Sequence, residues 1–158
     1  MPTSPPSRAE QALVLLGSIL TAYGSYGPWV RVNPTLPPDA AVPTIGLFKM
    51  WPGFTPLDWL PVAAALLGTL AVGRNWHARR RWGLSAGAGL LTCTWGLYYG
   101  ATMIRGYSVL APFSGTFVPT PQWYLTLLGG LLLLGNGLRR LARMRLTSRT
   151  QPREPTAE

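Results

Sequence analysis

Tyr23 and Tyr26 stand near the end of the first apolar stretch, and Trp95 and Tyr98 stand near the end of the third, with Tyr99 and Tyr124 close by in the same reading. Rings carrying hydroxyls suit a ligand with an apolar body and a polar handle: a lipid head group, a quinone or another small amphiphile. The plainer reading is helix packing plus interfacial placement of aromatic residues, and on sequence both stay open. Three charges flank this region, Arg31, Asp58 and Arg105, where either arginine suits pairing with Asp58 or contact with a phosphate. Asp58 also lies three residues after Thr55, and Thr55-Pro56 is a helix-start signal, so the carboxylate fits a cap better than a proton carrier.

Other chemistry lacks its parts. His77 is the only histidine, set in a basic stretch without cysteine or carboxylate neighbours, so no metal site is expected. Cys93 is the only cysteine, which rules out an intramolecular disulfide and a CxxC redox pair. There is no paired carboxylate, no nucleophile beside a base and no glycine-rich phosphate loop. Gly135-Asn136-Gly137 reads as a helix-end feature. These omissions point away from an enzyme and from any cofactor.

The elements that must position the aromatic residues are long and apolar. Segments 12–30, 57–72, 82–104 and 122–141 each approach the roughly 20 apolar residues that cross a bilayer. They predict an all-α membrane protein, a bundle of four transmembrane helices. The first is expected to be retained and not cleaved as a signal peptide, since its apolar run continues through Tyr26 to Trp29 without a small-x-small site. Of fourteen basic residues, eleven fall in the N-terminal tail, the loop between the second and third segments, and the C-terminal tail. Arg31, Lys49 and Arg105 fall on the other side. The positive-inside rule then places both termini in the cytoplasm. Trp29, Trp51, Trp59 and Trp123 fit an outer aromatic belt, and Trp76 and Trp82 an inner one. The formal charge of +9 does not argue for nucleic acid, because the arginines flank apolar runs instead of alternating with exposed aromatics.

The halves echo each other. Leu20-Thr21, Tyr23-Gly24, Tyr26 and Gly27 are followed in order by Leu91-Thr92, Trp95-Gly96, Tyr98 and Gly100. Pro43-x-x-Gly46-x-Phe48 matches Pro112-x-x-Gly115-x-Phe117, and both loops end in Thr-Pro. This order predicts a 2+2 parallel internal repeat. The connection 31–56 holds six prolines, and 44–51 reads as a short β element able to pair with 113–118. Residues 1–11 form a tail expected to lack order at its Pro/Ser-rich start, and 142–158 a basic tail.

Small residues mark helix contacts. Gly83 and Gly87 lie nearly opposite Gly96 and Gly100 on a helix, so the third helix can approach neighbours on two sides, within one bundle or in a homo-oligomer or a complex with another membrane protein. Arg79, Arg80, Arg81, Arg139, Arg140 and Arg143 suit anionic lipid, although topology alone explains them.

The exit Gly27-Pro28-Trp29-Val30, the long connection after it and the basic hairpin before the third segment resemble uncharacterised prokaryotic four-helix membrane proteins with a Pro-Trp exit of helix one. The layout is also similar to that of claudin-type proteins, with Gly46-Leu47-Phe48 close to their loop motif but without their paired cysteines. The resemblance implies a multi-pass protein of a prokaryotic cytoplasmic membrane and no activity. The expected role is a non-enzymatic accessory or structural component; a transport or small-ligand module built on the aromatic cluster is the alternative.

Overall fold

The computed structural model describes residues 6–37, 49–73, 77–104 and 115–149. Among these, four helices and one two-stranded sheet form. Helix α1 spans Arg8–Tyr26, α2 Trp59–Gly73, α3 Ala78–Tyr99 and α4 Pro121–Arg149. Strand β1 is Val30–Val32 and β2 is Phe117–Pro119.

Local chemistry sets the helix starts. Ser7 and Glu10 cap α1 reciprocally: the Ser7 side chain accepts the Glu10 N–H while the Glu10 carboxylate accepts the Ser7 N–H. Both Thr-Pro pairs begin helical structure, Pro56 opening a single 3-10 turn into α2 and Pro121 opening α4. Helix α1 stops at Gly27, whose extended backbone leads through Pro28 into β1. Helix α3 continues as a five-residue π-helical turn, Gly100–Ile104.

Helices α1 and α3 each pack against both α2 and α4. The contacts are close because small residues face each other. A side chain added at Gly89 would press on the α4 backbone, 2.5 Å from the Gly130 carbonyl oxygen, and one added at Gly17 would meet the Gly129 oxygen at 3.0 Å. Leu133 fills the centre, fully buried with Val14, Ala64, Trp82 and Ala88. Between the helices the remaining filling is small, with Ala65, Ala86 and Cys93 beside hydroxyl residues. Ser18, Thr21, Ser25, Ser85, Thr92 and Thr126 are all buried. The Ser85 hydroxyl donates to the Leu133 carbonyl across the α3–α4 contact at 3.0 Å.

The expectation of four transmembrane helices is corrected: among the described residues, no helix is long and apolar enough to cross a membrane. The reasons differ by helix. Helix α2 has 15 residues, about 22 Å of rise against a hydrocarbon core of about 30 Å. Helix α1 carries Arg8, Glu10 and Gln11 at its start and loses the expected residues 27–30 to a cap and a strand. Helix α3 takes in Arg79, Arg80 and Arg81 and is diluted by glycine, serine and threonine. Helix α4 reaches 29 residues, but its second half holds Asn136 and five arginines. Segments trimmed at their charged flanks look more apolar than the helices that actually form. The multi-pass placement in a prokaryotic cytoplasmic membrane, with both termini cytoplasmic, is withdrawn with the spans.

The β element also moves. Strand β2 lies close to the expected second partner, but it pairs antiparallel with β1, Val30 opposite Pro119 and Val32 opposite Phe117, not with 44–51. Residues 44–48 lie outside the described residues, and 49–51 are not strand. Asn33 extends the seam, its side-chain amide donating to the Gly115 carbonyl at 2.9 Å.

Candidate functional site

The densest polar constellation lies where the 49–58 segment meets the ends of α1 and α3. Trp29 is fully buried there, its indole N–H donating to the Gly24 carbonyl at 3.0 Å, so the last turn of α1 fixes the ring. Tyr99 packs edge-on against it, with centroids 5.0 Å apart. Phe117 of β2 and Val30 of β1 close the cluster.

Lys49 threads this apolar wall. Its backbone carbonyl accepts N–H bonds from Trp29 (2.8 Å) and Val30 (3.2 Å), and its own N–H donates to the Tyr99 hydroxyl oxygen at 2.9 Å. The side chain is almost wholly buried at 2 % exposure. Its ammonium donates to Asp58 Oδ2 at 2.5 Å and to the Gly53 carbonyl at 2.8 Å, and it stands 5.9 Å from the centre of the Trp29 ring. Asp58, at 1 % exposure, accepts at the same oxygen from the Thr55 N–H (2.6 Å) and the Thr55 hydroxyl (3.0 Å). Gly53 has φ +126°, a conformation that favours glycine, and its N–H donates to the Tyr26 carbonyl at 2.7 Å.

Burial pushes the Lys49 ammonium below the usual lysine range, and the Asp58 carboxylate opposes that shift. Burial likewise holds the Tyr99 phenol protonated, its pKa pushed up to about 12. The result is a salt bridge shut inside an aromatic cage, which ties the 49–58 segment to the bundle end. One acceptor stays over: Asp58 Oδ1 is buried without a hydrogen-bond partner among the described residues.

Asp58 is therefore both a cap and one half of an ion pair, and its cation is Lys49. Arg31 sits exposed on β1, and Arg105 lies outside the described residues. Sequence reasoning passed over Lys49. The available signal was its isolation, one lysine among thirteen arginines, set between Phe48 and Met50.

Of the aromatic residues expected to share a pocket, Trp95 and Tyr98 meet each other, while Tyr26 and Tyr124 meet other rings. Tyr26 meets Phe54 edge-on, Trp95 stacks on Tyr98, and Tyr124 meets Trp123. Tyr23, Tyr26, Tyr98 and Tyr124 are each at least half exposed, whereas Tyr99 is buried in the lysine cage. Trp29 and Trp82 are buried in the core instead of standing at a rim, while Trp51 and Trp59 are exposed.

The glycines of α3 divide. Gly96 packs against Leu127 and Gly100 against Trp123, while Gly83 and Gly87 face open space. Among the basic residues, Arg79, Arg80, Arg139 and Arg143 are exposed and Arg81 is half-buried. Arg140 is committed: it pairs with Glu10 and lies 5.6 Å from the centre of the Trp82 ring. That contact holds the Glu10 carboxyl below its usual range. Burial raises the Cys93 thiol, which leaves it a poor nucleophile.

No family model matches the chain, and no curated protein or solved structure matches it.

Proposed function

We propose that the protein is a non-enzymatic accessory or structural component of a larger assembly, and that it works by contact. The observation carrying this reading is where the polar and apolar side chains lie. Small hydroxyl residues fill the helix contacts, while large apolar residues stand outside on every helix: Ile19 on α1, Leu66 on α2, Leu97 on α3 and Leu131 on α4, each more than half exposed. Large apolar side chains left exposed on all four helices support a surface that a partner covers. The caged Lys49–Asp58 pair suits this role, since it fixes one end of the bundle as a rigid shape instead of offering a reactive group.

Gentle affinity purification of the full chain from its own cells, followed by quantitative mass spectrometry, tests the reading. A protein recovered at fixed stoichiometry is the expected result. Recovery of the chain with a small amphiphile and no protein would overturn it in favour of a ligand-binding module.

A further inference from the structure

Helix α3 packs on α2 and α4 with its inner residues, Gly89 and Gly96 among them, and leaves its outer face uncovered. On that face Arg80, Gly83, Gly87, Leu90, Thr94 and Leu97 are all exposed, and they recur at steps of three and four. This is the spacing by which two helices form a continuous seam. It runs about 26 Å along the helix. Nothing lies within 4 Å of a side chain added at Gly83 or Gly87, while Leu90 and Leu97 are more than half exposed. The first half of the seam is therefore hollow and the second half raised.

That shape points to its occupant. Across a two-fold axis the same patch meets itself, so residue i must fit residue j and j must fit i. Turned antiparallel about a point level with Ala88 and Gly89, a second α3 sets its Leu90 over Gly87 and its Thr94 over Gly83, and each larger side chain enters a hollow. The charges agree with this direction. Helix α3 carries Arg79, Arg80 and Arg81 near its start and no acidic residue. Parallel copies would bring like charges together. Antiparallel copies separate them and lay Arg79 and Arg80 beside Leu97 and the exposed Tyr98 ring of the other copy, where a guanidinium can stack on an aromatic face. A plain apolar helix would fill the hollows but collide with the leucines. We infer that the chain forms an antiparallel homodimer through the outer face of α3. This contact goes beyond the accessory role, which concerns a different protein and is tested separately by co-purification.

Sedimentation of the purified full chain at micromolar concentration should give twice the chain mass. Gly87→Leu fills the hollow without meeting anything in its own chain, and it should weaken dimerisation at least about tenfold. Gly135→Leu, on α4 where an added side chain also meets open space, should leave the dimer intact. A monomeric wild-type chain, or equal dimerisation of the two variants, would overturn the proposal. Cysteine pairs read the direction. A mixture of G83C and T94C chains should form a disulfide-linked dimer on mild oxidation, whereas L97C alone should not. Self-linking of L97C would show a parallel pair and refute the geometry. If Gly87→Leu does not fold, the G83C and T94C mixture decides: linking supports the antiparallel dimer and its absence refutes it.

Discussion

A lysine and an aspartate that share a buried hydrogen bond are costly to separate. Removing one partner of such a pair leaves an uncompensated charge and typically costs about 3–5 kcal/mol, whereas replacing both with apolar groups is often close to neutral. Asp58→Asn is therefore expected to destabilise the protein strongly, and Lys49→Met with Asp58→Leu to recover most of the loss, as measured by denaturant melts. Tyr99 gives the same cage a signature at high pH. Its pKa rises on folding from 10.0 to about 12, so between those values the unfolded chain has lost a proton that the folded chain keeps, and stability falls as pH rises. Tyr99→Phe should remove that part of the alkaline decline. Glu10 acts at the other end of the scale. Its folded pKa lies below the ordinary 4.5, so its contribution is present above that value and is lost as pH falls through the folded pKa. Glu10→Gln should flatten the acid limb of the stability curve. At this scale the sequence was only half legible. The Thr55–Asp58 spacing announced a cap, but nothing local linked Asp58 to a lysine nine residues upstream, because that pairing exists only once 49–58 folds back on α1 and α3.

Between elements, packing is decided by which glycines are covered. Gly87 and Gly89 sit two residues apart on α3 in opposite surroundings: a Cβ at Gly87 meets open space, and one at Gly89 meets the α4 backbone at Leu134 and Gly130. Gly87→Ala should stabilise the protein by about 0.5–1 kcal/mol through helix propensity alone. Gly89→Ala should destabilise it despite the same propensity gain, because the backbone of α4 must retreat. Thermal melts of the two variants compare them directly. The four helical segments and the Thr-Pro starts were visible in the sequence, since hydrophobic runs and capping residues act locally. The partner of β2 was not. Val30–Val32 reads as the tail of an apolar run, and only Gly27 and Pro28, which turn the chain out of α1, make it a strand. The charged flanks misled in the other direction, because arginines expected to end spans at 82 and 141 lie inside α3 and α4.

For the whole molecule, the central feature is that large apolar side chains stand exposed on every helix while small hydroxyl residues share the helix contacts with Leu133 and Trp82. Such a surface is expected to be covered where the protein works. The sole cysteine makes this measurable, because Cys93 is buried and gives little background to a thiol reagent. Single cysteines placed at Ile19, Leu66, Leu97 and Leu131 report on α1, α2, α3 and α4 in turn. The most direct measurement is maleimide labelling of these four variants, first in gently lysed cells and again after purification of the chain alone. Protection of at least one helix face in the lysate, lost when the partner is removed, is the expected result. Four faces labelled equally fast in both states would contradict the assembly role.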